Sequence, residues 1–244
     1  MSSFPPPSFP AGAGAPTSGR TAPIASLSKA LVVLVAIYIP LHVLGVVNTV
    51  RVSDKAQRFL DDEVSRREFR EANDFSVLQI GGLLVIPIAV VTMIWMFRMA
   101  SNLRALGRQG QTWSSAWAMA GWFLPPGFVY AIPWLMFREL WKGSDPAITR
   151  GDGRWKSGRV PPLIDVWWVL YGLLPLLGLF TTGQLIAQLN SGDDDLEDVA
   201  ERFADDRIFF LIVGVGGLLA AIAFLAIVRQ LSARHMAATG EGAG

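Results

Sequence analysis

The sequence predicts an all-α fold: a polytopic membrane helix bundle with four transmembrane helices and one proline-broken segment that is re-entrant or interfacial. Hydrophobic residues make up 52% of the 244 residues and charged residues only 17%, below the roughly 25% that is usual for soluble domains. The apolar residues are also gathered in long uncharged stretches. The buried helices of a soluble protein are usually shorter and show a polar face.

The four predicted transmembrane helices occupy uncharged stretches of 21, 23, 27 and 21 residues: Ala30–Val50, Phe75–Phe97, Val166–Gly192 and Ile208–Val228. About 20 apolar residues are enough for a helix to cross a hydrocarbon core of roughly 30 Å. The spans are therefore expected at about 30–50, 75–97, 166–190 and 208–228.

These spans define a helical membrane domain of residues 26–232 between two predicted tails. Residues 1–25 are rich in Pro, Gly, Ala and Ser and carry a single charge, so they bury too little apolar surface to offset the entropy of ordering. We expect a disordered tail that stays in the mature chain, because no charged region directly precedes an apolar core as in a cleavable signal. Residues 233–244 are predicted to be a flexible C-terminal tail.

The segments around the spans have patterns of their own. Residues 51–74 are dense in both signs of charge, and their apolar residues have helical spacing, which predicts a separate surface helix. The second span's helix is expected to continue through Asn102 and to end near Gly107 or Gly110, which suit a C-cap. Residues 191–207 form an acidic connector without the spacing of a calcium loop.

The last span carries small residues at one helical spacing, namely Gly216, Ala220 and Ala223. Small side chains allow helices to approach closely in lipid. We therefore expect this face to pack against a neighbouring helix.

A fifth uncharged stretch contains WSSAWAMAGWFLPPGFVYAIPW, residues Trp113–Trp134. A helix from Trp113 to Leu124 would be about 18 Å long at 1.5 Å per residue, and Pro125 and Pro126 should end it, with a further interruption at Pro133. Neither half then crosses the hydrocarbon core. Backbone freed at that depth must be buried in protein or reach water, so we predict an elbow, residues 113–142, that enters the membrane and turns back.

The second arm of the elbow, residues 134–142, reads as an amphipathic helix. Its apolar side chains share one arc, and its charged ones lie opposite; the apolar set is Trp134, Met136, Phe137, Leu140 and Trp141. Tryptophan prefers the headgroup level. The pattern predicts a helix that lies in the interface plane.

Charge asymmetry decides the topology only in part. Four spans with both termini in the cytoplasm place 13 Lys and Arg inside and 8 outside, whereas five spans with the N-terminus outside give 14 and 7. The excess of positive charge on cytoplasmic loops does not separate these two arrangements. We favour four spans, because five would leave Arg98, Arg104 and Arg108 outside without an acidic neighbour. The expected location is the inner or plasma membrane.

The specific residues of this region resemble a family of bacterial multi-pass membrane proteins that is known only as a domain of unknown function. The family shows a W-x-x-R-x-x-x-N helix end, a Trp-rich stretch leading to W-F-x-P, a further proline, and a charged helix ending in Trp. The matching residues here are Trp95, Arg98, Asn102, Trp113, Trp117, Trp122, Pro125, Pro133, Glu139 and Trp141. A departure is Pro126-Gly127 after the first proline. The resemblance implies a polytopic membrane protein and supplies no biochemical activity.

Two sets of polar residues are candidates for a specific role. Arg98 and Asn102 lie four residues apart on one helix face. They would clamp a lipid headgroup or the elbow's free carbonyl groups around Pro125, or else be a snorkelling arginine and a helix-end asparagine. His42 and Gln184 lie within spans, where polar groups either serve transport or make interhelical hydrogen bonds.

The sequence contains no catalytic, cofactor-binding or metal-binding pattern. There is no cysteine and there are only two histidines, and no basic run with interleaved aromatic residues indicates nucleic-acid binding. We therefore predict no enzyme and no cofactor. The preferred function is a non-catalytic interaction or scaffold module that uses a Trp-rich elbow on the cytoplasmic side. Its partners would be the lipid bilayer and a second copy or another membrane protein; the alternative is a subunit of a small-molecule or ion transporter or channel.

Overall fold

The computed structural model describes residues 19–73, 76–123, 126–174 and 196–241. Every regular element in these ranges is helical. The helices are α1 (Ala25–Leu60), α2 (Arg66–Asn73), α3 (Ser76–Ala105), α4 (Trp117–Ala120), α5 (Pro126–Gly143), a 3₁₀ turn (Gly153–Ser157), α6 (Pro162–Trp168) with a π-helical continuation (Val169–Leu173), α7 (Leu196–Asp205) and α8 (Arg207–Thr239).

Three of these helices, α1, α3 and α8, are long and apolar enough to cross a membrane. Many of their large apolar side chains point away from the protein; Leu83, Ile86 and Ile208 are 65%, 63% and 72% exposed. Such surface is costly in water and is what lipid would cover. The all-α class is confirmed, and three membrane-capable helices match the first, second and fourth predicted spans. Of the predicted span 166–190, only the beginning lies within the described residues.

The helices α1 and α8 pack closely because glycines of α8 face α1. A Cβ atom added at Gly214 would lie 2.9 Å from Val46 Cγ2, and one added at Gly217 would lie 3.0 Å from His42 Nε2. Gly216, Ala220 and Ala223 are buried. The prediction that this small-residue face is a packing face is confirmed.

The two ends of the bundle differ in composition. At one end, α1 begins while α3 and α8 finish: Glu241, directly after the C-cap of α8, accepts hydrogen bonds from the backbone N–H groups of Ile24 and Ala25, each at 2.9 Å. We call this the termini-bearing end. At the opposite end, α1, α2 and α7 enclose a small apolar cluster of Val52, Ala56, Phe59, Phe69 and Ala200.

Three predicted boundaries need correction. Residues 51–74 are not one separate helix, because α1 continues from the first span without a break as far as Leu60. Near its end, Phe59 stacks on Phe69 of the next helix, α2. The helix α8 extends to Thr239, well into the predicted flexible tail 233–244, because His235 is buried against other helices. Residues 22–25, assigned to the disordered tail 1–25, are hydrogen-bonded to the bundle; residues 1–18 lie outside the described ranges.

Candidate functional site

The elbow contains two unequal helices. The helix α4 has four residues, and residues before it form turns in which Trp117 N–H donates to Ser114 O and Ala118 N–H donates to Ser115 O. The predicted helix over Trp113–Leu124 is therefore too long, because these turns, in which an N–H group donates to the carbonyl group three residues earlier, take the place of α-helical bonds at its start. The predicted interruption at Pro133 is also wrong: α5 begins at Pro126 and runs through Pro133, which is buried, to Gly143.

The two arms of the elbow lie side by side. The carboxylate of Glu139 accepts hydrogen bonds from the backbone N–H groups of Thr112 and Trp113, at 2.7 and 3.2 Å. Farther along, a Cβ atom added at Gly121 would lie 2.7 Å from Ile132 Cγ2. The chain that enters the elbow after α3 thus returns beside its own starting point, at the termini-bearing end.

Glu139 holds this closure in a half-buried position. Burial raises the pKa of its carboxyl group, while the two backbone N–H donors and nearby Lys156 and Lys142 act in the opposite direction. Charged acceptors make stronger hydrogen bonds to N–H groups than neutral ones. The carboxyl group of Glu139 therefore ties the second arm to the backbone at the start of the first.

The apolar arc of α5 faces the protein core. Met136, Phe137 and Leu140 are at most 2% exposed, and the Phe137 ring contacts the rings of Trp95 at 6.0 Å and Trp167 at 5.0 Å. Side chains of α3, α6 and α8 cover this arc, so it packs against protein; the placement of the helix in the interface plane stays a prediction.

Among the elbow residues whose side chains the structure describes, the exposed large apolar ones belong to the first arm. Trp117, Met119 and Phe123 are 37%, 44% and 79% exposed. Trp117 is held by an edge-to-face contact with Trp113 at 5.5 Å, and Trp122 contacts Tyr171 at 6.2 Å. These aromatic contacts fix the arm while its tip remains uncovered.

The predicted pair of Arg98 and Asn102 binds the backbone of residues 22 and 23, just before α1. Asn102 Oδ1 accepts from Ala22 N–H and Asn102 Nδ2 donates to Ala22 O, both at 2.8 Å. Arg98 Nη1 donates to Pro23 O at 2.9 Å. The carbonyl groups that Arg98 and Asn102 bind among the described residues are those of Pro23 and Ala22. Pro125 lies outside the described residues, and the expected clamp on the carbonyl groups around it stays a prediction.

A second partner of the Asn102 side chain is His235, which is fully buried. Asn102 Nδ2 lies 3.0 Å from His235 Nε2, and Ser144 Oγ lies 2.8 Å from His235 Nδ1. The bonds to Ala22 fix the asparagine's orientation, so Nδ2 is a donor and His235 Nε2 must accept with its lone pair. His235 is therefore neutral, with its proton on Nδ1. Sequence spacing gave no sign of this residue, whose partners lie far away in the chain.

The helix α3 ends as predicted. Gly107 has φ +70, with Gly107 N–H donating to Arg104 O and Arg108 N–H donating to Leu103 O, which is the Schellman arrangement. The next residue, Arg108, is 2% exposed and donates to the carbonyl groups of residues 143, 145, 148 and 149. Burial lowers the pKa of Arg108, and Asp145 and Asp152 oppose that effect. Sequence reasoning missed this organising role.

The remaining motif residues have structural partners. Trp95 Nε1 donates to Ser28 Oγ at 3.1 Å, and Trp141 lies under the Arg234 guanidinium at 5.1 Å. Asp165, in the first turn of α6, accepts from Trp134 Nε1 at 2.8 Å and from Arg138 Nη1 at 2.6 Å.

The two intramembrane candidates have different outcomes. His42 Nε2 lies 2.9 Å from Gly214 O, a contact that holds α1 to α8, and its Nδ1 lies 3.1 Å from the hydroxyl group of Tyr38 within α1. Gln184 lies outside the described residues. In the part of the chain that the structure describes, no three His, Asp or Glu side chains are grouped to hold a metal ion.

Comparison with known proteins adds one finding. The profile of the family described as Domain of unknown function (DUF4328) matches residues 57–233. No curated protein and no solved structure is found to match the chain. The matched range includes the helix end at Asn102, the elbow and Arg108.

Proposed function

The chain belongs to the family described as Domain of unknown function (DUF4328), and from that premise we propose that it is a non-catalytic membrane scaffold of the inner or plasma membrane. In this proposal, the polypeptide crosses the bilayer four times with both termini in the cytoplasm. The elbow enters the cytoplasmic leaflet, returns, and presents its first arm to another membrane protein or to a second copy.

The observation that carries this proposal is the closure of the elbow by Glu139. Its two hydrogen bonds to Thr112 and Trp113 keep the entry and the exit of the elbow together. A segment that crossed the bilayer once would separate these residues by about 30 Å. The closure supports re-entry and, with it, an even number of spans.

The distribution of charge supports the orientation. Among described residues, the termini-bearing end (residues 20–29, 98–165 and 229–241) has 13 Lys and Arg and 5 Asp and Glu, and the opposite end (residues 51–71 and 197–207) has 8 and 11. Cytoplasmic loops carry an excess of Lys and Arg. The termini-bearing end is therefore the cytoplasmic one in our proposal.

The way in which polar groups are used supports a scaffold. The side chains of Glu139, Asn102 and Arg108 bind backbone groups of the chain itself. These polar groups therefore stabilise the fold. The exposed part of the elbow is apolar, with Phe123 at its tip. An apolar surface rimmed by polar residues is typical of interaction sites. The alternative, a transporter or channel subunit, stays a prediction. His42, the candidate polar residue for transport in α1, has hydrogen-bond partners at both ring nitrogens.

Photocrosslinking at the elbow tests the proposal. A photoreactive amino acid at position 123, introduced into the full chain in membranes, should give a discrete protein adduct that Trp117→Ser and Met119→Ser reduce several-fold. The matched control places the same amino acid at position 83, where Leu83 is exposed on α3, and should give lipid adducts only. Lipid adducts alone at both positions would refute the scaffold role while leaving the topology intact.

A further inference from the structure

The connection between α5 and α6, residues 144–161, is a shaped loop. Arg108 donates to three of its carbonyl groups, those of residues 145, 148 and 149. Trp155 is 1% exposed and its Nε1 donates to Gln109 O at 3.2 Å. We call this segment the basic loop. Its buried anchors mean that its surface side chains are presented from a fixed backbone.

Three exposed cations of the basic loop have no salt-bridge partner among the described residues, whereas both of its acids form salt bridges. Asp145 pairs with Arg234 at 2.6 Å, and Asp152 pairs with Arg154 at 2.8 Å. Arg150, Lys156 and Arg159 are exposed, and none has a salt-bridge partner among the described residues. The loop therefore presents three positive charges that lack a salt-bridge partner among the described residues; Lys156 also lies 5.8 Å from the centre of the Trp155 ring.

The basic loop lies against the ends of two membrane-capable helices. Gly151 N–H donates to Leu106 O just beyond α3, and Asp145 pairs with Arg234 of α8. Apolar helices end where the hydrocarbon core ends, so a loop tied to these ends is close to the headgroup layer. The remaining acids of this end, Glu139, Asp165 and Glu241, already accept hydrogen bonds.

We propose that Arg150, Lys156 and Arg159 of the basic loop bind the headgroups of anionic phospholipids in the adjacent leaflet. The inference rests on the proposed function only for the placement of this end at a bilayer surface. Guanidinium and ammonium groups make charge-assisted hydrogen bonds to phosphate oxygens. Basic residues next to a transmembrane helix are attracted to anionic lipid, by about fivefold in affinity for each Lys or Arg near the surface. Because the loop is preshaped, little ordering entropy opposes binding.

Native mass spectrometry of the full chain in detergent tests this proposal with dioleoylphosphatidylglycerol and dioleoylphosphatidylcholine as probes. The wild-type chain should bind the anionic lipid more tightly, and R150Q/K156Q/R159Q should lose on the order of 100-fold in that affinity at low ionic strength. The matched control R51Q/K55Q/R70Q removes three positive charges from the opposite end and should keep the preference. The conservative variant R150K/R159K should also keep most of it.

Several results would overturn the proposal. Equal affinity for the two lipids, or an equal loss of affinity in the opposite-end control, would show that the loop is not the lipid site. The three cations would then be assigned to the binding of an acidic protein partner. Displacement of the lipid by millimolar inorganic phosphate would assign the loop to free phosphate. If the triple variant fails to fold, each single substitution should still lower the affinity about fivefold. Lipid binding in detergent does not depend on the number of spans, so its failure and a failed topology are separate results.

Discussion

Asn102, near the end of α3, joins the segment just before α1 to the end of α8. Replacing it by alanine removes this connection. Asn102 is 2% exposed and makes three hydrogen bonds, two to the backbone of Ala22 and one to His235. Alanine leaves His235 Nε2 buried without a donor, which costs about 1–3 kcal/mol, and each lost bond to Ala22 contributes about 0.5–1.5 kcal/mol more. We expect Asn102→Ala to lower the free energy of unfolding by roughly 2–6 kcal/mol.

Denaturant unfolding in detergent measures this loss, and a double-mutant cycle identifies its origin. In the Asn102→Ala background, His235→Leu should cost at least about 1 kcal/mol less than in the wild-type chain, because the histidine has already lost its donor. The control is Thr92→Val, since Thr92 is 1% exposed and its hydroxyl bonds only within its own helix, to Ile88 O. Additive effects of the two substitutions, or an Asn102→Ala chain as stable as Thr92→Val, would refute the reasoning.

Three further predictions concern the elbow, the α1–α8 contact and the basic loop. Because burial raises the folded-state pKa of Glu139 above 4.5, the wild-type chain should gain stability relative to Glu139→Gln as pH falls from 7 through that raised pKa; thermal unfolding of both chains at pH 7 and 5 would show no such gain if the carboxyl group were solvated, because its pKa would then be the same in the folded and the unfolded chain. Gly214→Leu should destabilise by about 1–3 kcal/mol, since its Cβ would meet Val46, whereas Gly82→Leu, at an open position, should not; equal denaturation midpoints would disprove the close contact. Arg108→Lys should speed proteolysis within residues 144–161 several-fold, because lysine lacks the planar fork that reaches four carbonyl groups, and an unchanged cleavage rate would contradict its organising role.

Local sequence features predicted the elements that depend on near neighbours. Uncharged stretches located the three long helices, and Gly107 marked the end of α3 because its φ of +70 is unfavourable for residues with a side chain. The small residues of α8 indicated a packing face, because the close approach of two helices there depends only on side-chain size. These features act within a few residues or one helix face.

Partners distant in the chain could not be predicted in this way. Asn102 was selected by its place in a motif, yet its function depends on Ala22 and His235, which are 80 and 133 residues away. The arc of α5 showed the correct amphipathic pattern but no indication of whether lipid or protein covers it, because both are apolar. The fold places Trp95 and Trp167 there, and so the arc is buried.

The most direct test of the account is the side of the membrane from which residues before and after the elbow can be reached. The chain has no cysteine, so single cysteines at positions 20, 110, 150 and 200 can be labelled with an impermeant thiol reagent in intact and permeabilised cells. The account predicts that positions 20, 110 and 150 react only after permeabilisation and that position 200 reacts in intact cells. Labelling of 110 and 150 from opposite sides would contradict it, because the elbow would then cross the bilayer.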